Sequence, residues 1–357
     1  MYKKIFMGIA AVAALTLVSC SSDDLNSLSD NSSKNEAISF DGYWGRSAVS
    51  VNGSRGSVID KAEDLQKVPE GFGVFGNYIS TDETTPTYGD NLFKNQPVTY
   101  KTSAEASAWT YNPVKYWPTE GHINFLAYAP YVENQELKEK SKLDFTVNPV
   151  IKDQKDLLWA NAANQTKQNN SGTDKKVKFQ FAHALSRLGY TVKTSSDDAS
   201  TTITLKKITL AGSNDGTTNA FYTKGTIDLS KPSTSTADLW ATSETDTKQK
   251  FDWFSGTQTL ATTDYKNPDA NYLFVIPQDF SQETENPNKL FVVVEYTVKT
   301  GATEEVMSKV SKQITTNFLQ GKAYTINLTL GLTPIEFDVT TVEGWTDINQ
   351  GEINSWN

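Results

Sequence analysis

From Ala37 onward apolar and polar residues alternate in short runs, separated by clusters of Gly, Pro, Asn, Asp and Ser. A period of two is the pattern of half-buried β-strands joined by turns. The clearest run is 324–332, where Tyr324, Ile326, Leu328, Leu330 and Leu332 alternate with Thr325, Asn327, Thr329 and Gly331. One face of that strand is expected in a core and the other nearer water. Further strands are expected at 38–40, 72–78, 123–128, 177–181, 188–193, 201–210, 272–276 and 290–298. Val292, Val293 and Val294 in succession predict a strand covered on both faces. The best helical signal, 132–140, is short. Spacing of strands and turns therefore argues for an all-β sandwich architecture over alternating α/β.

Two polar stretches organise the chain. Residues 161–176 hold almost nothing apolar and divide the folded part into similar halves, so two sandwich domains are expected, at 47–175 and 176–357. Residues 230–250 are also polar but are interrupted by Leu239 and Trp240, and are read as a loop that docks back.

The N-terminus follows another rule. Lys3 and Lys4 precede an apolar run from Ile5 to Val18. Its length falls short of the roughly 20 residues that span a bilayer and fits the hydrophobic region of a secretory signal. Leu17-Val18-Ser19-Cys20 resembles a bacterial lipobox, so residues 1–19 are expected to be a lipoprotein signal peptide and Cys20 the acylated residue. Ser21-Ser22-Asp23-Asp24 follows as a hydrophilic tether, and it is similar to the acidic surface-export cue of Bacteroidota lipoproteins.

Composition sharpens this by subtraction. The 357 residues include one cysteine, two histidines, His122 and His183, and three arginines, Arg46, Arg55 and Arg187. An internal disulfide or a Cys/His zinc cluster is excluded, and no metal or cofactor is expected. Formal charge is −9, and loss of residues 1–19 with their two lysines makes it −11. Such a body does not suit nucleic acid, nor does it suit anionic lipid, which leaves acyl chains as the route to the outer membrane. His183, in an otherwise apolar motif, is read as a satisfied, partly buried residue rather than a ligand or general base. Ser186 lacks a Gly-x-Ser-x-Gly elbow, and Ser213-Asn214-Asp215-Gly216 lacks the glutamate of a calcium loop. Trp109, Tyr111, Tyr116 and Trp117 crowd one stretch; they read as core packing or as a platform for sugar rings.

Several stretches together resemble the fimbrillin family of Bacteroidales, the subunits of lipoprotein-derived (type V) pili. They are Tyr116-Trp117-Pro118 with 123–130, Asp156-Leu157-Leu158-Trp159-Ala160, the run 179–188, Leu273-Phe274-Val275-Ile276-Pro277-Gln278, and Gly321-Lys322-Ala323-Tyr324-Thr325-Ile326. The resemblance implies two tandem transthyretin-like Greek-key β-sandwich domains and a structural or adhesive pilus subunit, not an enzyme. It also implies a maturation route, in which a trypsin-like protease removes the anchor and first strand and another pilin subunit's strand fills the groove.

The sequence holds parts for such a route. Residues 20–46 form a tether and first strand around Ile38 and Phe40, the expected propeptide. Cleavage between Arg46 and Ser47 would remove both, with Arg55 and Gly56 as the alternative site. Arg46 can equally be an ordinary surface arginine. Ile335, Phe337 and Val339 alternate after Pro334 and are followed by Val342 and Trp345. They are the candidate donor strand, or else the ordinary last strand of the second domain. The competing functional reading is an anchored adhesin, binding a host or bacterial receptor or glycan without polymerising. A surface hydrolase rests only on abundant carboxylates.

Overall fold

The computed structural model describes residues 36–44, 62–103, 107–171, 175–232, 239–243, 247–268, 271–281, 288–331 and 336–342. Among them the chain is almost entirely β, and no helix is long and apolar enough to cross a membrane. The first half supplies β1 (Phe40–Trp44), β2 (Phe72–Ile79), β3 (Phe93–Thr102), β4 (Ser107–Thr110), β5 (His122–Ala129), β6 (Lys142–Thr146), β7 (Leu158–Gln165) and β8 (Val177–His183). The second supplies β9 (Ser186–Thr194), β10 (Thr201–Ala211), β11 (Lys224–Asp228), β12 (Phe251–Thr259), β13 (Leu273–Val275), β14 (Phe291–Thr300), β15 (Val306–Gln313), β16 (Ala323–Leu330) and β17 (Glu336–Val342). The remaining strands are two residues long.

Seven strands form one sheet in the order β1-β8-β7-β5-β2-β3-β4. Its two faces are read off the alternation. Ile123, Phe125, Ala127 and Ala129 of β5 join Phe72, Val74, Leu158, Ala160 and Phe179 in one apolar cluster. Leu126 and Tyr128, offset by one residue, join Phe75 and Trp159 in another. Every residue of β5 is buried for that reason. The sheet curls until its far ends approach: Ala37, just before β1, bridges Tyr116, just after β4.

The second half packs two sheets over a shared core. One holds β9, β16 and β17 with β13; the other has the order β12-β10-β14-β15. Tyr190, Val192, Ile326 and Leu328 meet Leu205, Leu210, Trp253 and Val294 between them. The expected alternation of 324–330 holds, with Tyr324, Ile326, Leu328 and Leu330 buried and the residues between them half-buried. Val292, Val293 and Val294 are all buried. The turn at Gly216 lies over Val293, close enough that an added Cβ would sit 3.6 Å from it.

The halves share structure. β6 of the first pairs antiparallel with β11 of the second. Ile227, Leu239, Phe274 and Ile276 cover the second face of the seven-stranded sheet. Trp240 Nε1 donates to Ala184 O at 2.7 Å and Leu239 is buried, so the apolar pair of this stretch does dock back. β8 continues to His183 in the first sheet, past the polar stretch 161–176, and Ala184 and Leu185 alone separate it from β9.

The helix expected at 132–140 does not form. Asn134, Glu139 and Lys140 have positive φ, and Leu137–Lys138 instead pairs with Leu143 and Lys142 across a tight turn. A periodic pattern only nine residues long is too short to hold a helix against such turn formers. A one-turn helix is found instead at Ala62–Gln66.

Both histidines are bound to carboxylates. His183 Nδ1 lies 2.6 Å from Asp156 Oδ2, fully buried behind β8. His122 Nε2 lies 2.9 Å from Glu83 Oε1, which also accepts from Asn124 Nδ2 at 2.6 Å and from the Thr87 amide at 3.1 Å. This pins the loop 80–92 to the end of β5. Desolvation raises the Glu83 pKa, but the hydrogen bonds from His122, Thr87 and Asn124 outweigh it and lower it from 4.5 to about 2. A depressed carboxylate pKa stabilises the fold above the unfolded value and loses that contribution as pH falls from about 4.5 to about 2. Glu83→Gln should therefore flatten the fall in urea midpoint over that window relative to wild type, while an unchanged slope would show that Glu83 carries no such linkage.

Candidate functional site

Among the predicted site residues, Ile38 and Phe40 are the ones whose side chains the structure describes. They occupy a groove in the seven-stranded sheet. β1 runs parallel to β8, in a register that sets Phe40 opposite Val177 and Gly42 opposite Phe179. On its other side the lead-in to β1 is pinned by backbone bonds from Ile38 N to Lys115 O, 2.8 Å, and from Trp117 N to Glu36 O, 2.9 Å. The segment 36–44 thus links the two ends of the curled sheet, through a ladder from β1 to β8 and an isolated bridge from Ala37 to Tyr116.

Ile38 and Phe40 are each 1% exposed. The Phe40 ring is enclosed by Phe93, Tyr111, Phe125 and Phe179, with centroids 5.3–5.6 Å away. Most of these contacts are edge-on or tilted, the arrangement favoured by ring quadrupoles. Gly42 passes beneath the one-turn helix, where an added Cβ would stand 3.1 Å from Leu65 and 3.2 Å from Phe181. Burial raises the Tyr111 pKa against the lowering effect of its Lys115 contact. The protonated phenol donates to Ile38 O at 2.7 Å.

That contact settles the aromatic stretch 109–117. Trp109 and Trp117 are buried, Tyr111 serves the first strand, and Tyr116 alone is exposed. A sugar platform there is not formed, because core packing has taken three of the four rings. Among the described residues no group of His, Cys, Asp or Glu could hold a metal ion.

The third arginine is shielded. Arg187 is 8% exposed, its guanidinium lies 4.6 Å from the Tyr272 ring centre, and its backbone sits inside β9 between β13 and β16. Proteases nick exposed, yielding chain, so this peptide bond is protected. Cys20, Arg46, Ser47, Arg55, Gly56 and Ile335 lie outside the described residues; Arg46 follows the end of β1 by two positions.

The candidate donor residues Phe337, Val339 and Val342 lie in β17, an edge strand antiparallel to β16, opposite Leu328, Ile326 and Ala323. One sequence signal linking β17 to the groove is visible only with both strands in view. Ile38-Ser39-Phe40-Asp41 recurs as Ile335-Glu336-Phe337-Asp338. Each strand is held by one ladder, but the lead-in to β1 adds a bridge to Tyr116 on its other side.

The family model described as fimbrillin-like matches residues 62–345. Among solved structures, a fimbrial protein from Bacteroides vulgatus ATCC 8482 aligns at TM-score 0.63 and 21% identity, over 87% of this chain and 100% of that one. A fimbrial assembly protein from Parabacteroides distasonis ATCC 8503 aligns at TM-score 0.40 and 11% identity, over 86% of this chain and 99% of that one. No curated protein matches the chain.

Phe40→Ala should cost about 3–5 kcal/mol, the usual penalty for emptying a packed phenylalanine site. Ser39→Ala, whose hydroxyl donates to Lys175 O at the surface, should stay within about 1 kcal/mol. Urea unfolding of the two variants checks this, and equal effects would show that β1 is not part of the cooperative core.

Proposed function

The chain belongs to the fimbrillin-like family, and on that premise we propose that it is a structural or adhesive subunit of a cell-surface pilus, without enzymatic activity. It is exported as an outer-membrane lipoprotein through Cys20 and cut after Arg46, with Arg55 as the alternative. It then joins neighbouring subunits by strand exchange.

The observation that carries this reading is the placement of β1. It is a short strand that fills a deep apolar groove, and Arg46 follows two positions after its end. A cut there would leave only noncovalent contacts holding the strand, at the end of the chain that bears the lipid. Once it leaves, β8 presents an unpaired backbone edge above Phe93, Phe125 and Phe179. A groove of that kind recruits an extended strand, with the backbone supplying affinity and alternate side chains supplying selectivity. Protection of Arg187 supports the reading, since among the three arginines it leaves only the N-terminal pair to a trypsin-like protease.

The donor is proposed to be β17 of a second copy, with Ile335, Phe337 and Asp338 taking the places of Ile38, Phe40 and Asp41. Val339 would fall at the Gly42 position, where even a Cβ would stand 3.1 Å from Leu65 and 3.2 Å from Phe181, so both side chains must shift to admit it. Val342 completes the strand. In this scheme β17 leaves the edge it occupies in the free subunit.

N-terminal sequencing of filaments sheared from cells should begin at Ser47 or Gly56; a start at Cys20 would overturn the maturation step. In the same material Phe337→Asp should abolish heat-resistant multimers and leave a cleaved, folded monomer. Multimers that persist would place the donor elsewhere in the chain.

A further inference from the structure

A cavity of about 250 Å³ opens on the side of the seven-stranded sheet away from Phe40. Its walls include the half-buried rings of Tyr131 and Phe145, and its rim carries Thr146, Asn148 and Asp153. Phe145 is braced: its backbone pairs with Gly225, and its ring meets Trp240 edge-on at 6.0 Å. The apolar wall is therefore preformed rather than assembled on demand.

The charge pattern narrows the ligand. Of the carboxylates lining the cavity, Asp156 faces His183, and Asp144 is bridged by Lys138 at 2.5 Å. Lys155, the lining cation, is held by Glu70 at 2.6 Å. Asp153 is different: its carboxylate, like the Tyr131 hydroxyl, has no hydrogen-bond partner among the described residues. Asn148 spends its oxygen on the Val150 amide, leaving its NH₂ group to donate outward. One free carboxylate falls far short of the six to eight oxygens calcium needs, and compensated neighbours give little pull on a cation. A set of mixed donors and acceptors beside two aromatic side chains instead suits a neutral, hydroxyl-rich ring, whose C–H groups can pack on an aromatic wall while its edge hydroxyls are bonded. The volume lies below the roughly 300–1,000 Å³ of drug-sized sites, which limits the occupant to about one such ring.

From this geometry we infer that the cavity is a glycan-binding site that takes a single pyranose unit, packed on Tyr131 and Phe145 and hydrogen-bonded by Asp153 and Asn148. It does not depend on the pilus reading, because β1 and the cavity lie on opposite faces of the sheet. A subunit would carry the site whether or not its first strand had been exchanged.

Saturation-transfer NMR on the purified full chain with free galactose, mannose, fucose and N-acetylglucosamine tests the inference. At least one sugar should receive saturation at its ring protons, with affinity on the order of millimolar, as expected of a small, exposed ligand. Asp153→Asn, on an exposed turn, should weaken that binding about three- to tenfold, the worth of one hydrogen bond. Phe145→Ala should abolish it, and if that variant unfolds the Asp153 substitution still decides. No transfer to any of the four sugars would overturn the proposal, as would binding unaffected by Asp153→Asn. So would binding of tetralysine, lost in that variant, in place of sugar.

Discussion

The Phe40 ring is the point on which the N-terminal half turns. Four aromatic rings from β3, β5, β8 and the segment after β4 close around it. Its strand also joins the two ends of a sheet that would otherwise lie open. A curled sheet has two ends to protect, and here one short segment reaches both, with a ladder from β1 to β8 and an isolated bridge from its lead-in residues 36–38 to residues 115–117. Packing and backbone pairing have been concentrated in a segment that a single peptide-bond cut can turn from an intramolecular part into a bound ligand.

The second face of the sheet tells against treating the halves as beads on a string. β6 pairs with β11, and Asn161 Nδ2 donates to Leu229 O and Lys231 O at 2.9 and 2.7 Å. Trp159 Nε1 donates to Lys231 O at 3.2 Å, and Gln154 accepts from the Phe274 amide at 2.8 Å. Buried polar groups are satisfied across the boundary by specific partners, which fixes one relative orientation. A rigid subunit has a defined angle between the groove at one end and β17 at the other half.

Much of this architecture was legible in the sequence wherever burial is one-sided and alternation clean. β16 is an example; the expected windows 72–78, 123–128, 177–181 and 188–193 also fall inside observed strands, although β5 is buried on both faces. What escaped notice has physical causes. β7 runs Leu-Trp-Ala-Asn-Ala-Ala-Asn-Gln; Asn161 is satisfied by the neighbouring half, and Asn164 and Gln165 by Asn124, Asn169 and Asn170, so a polar run that reads as loop holds a strand. β15 is an exposed edge strand with Lys309 and Lys312, residues that guard an edge and carry no core signal. For the groove, Ile38 and Phe40 could be picked out as strand residues, but their aromatic cage comes from strands far apart in sequence. The cavity could not be seen at all, since Tyr131, Phe145 and Asp153 converge only because 132–140 turns back instead of forming a helix.

The two-residue link between β8 and β9 has a mechanical consequence. From Val177 to Thr194 the backbone runs through both halves with only Ala184 and Leu185 between strands. At each end it is flanked by a parallel neighbour: β1 beside β8, and β16 beside β9. A pull applied along β1 is passed sideways into β8, continues covalently into β9, and spreads again into β16. The load-carrying line of the molecule is thus a single taut thread gripped lengthwise at both ends, so that its hydrogen bonds resist sliding together rather than opening one by one.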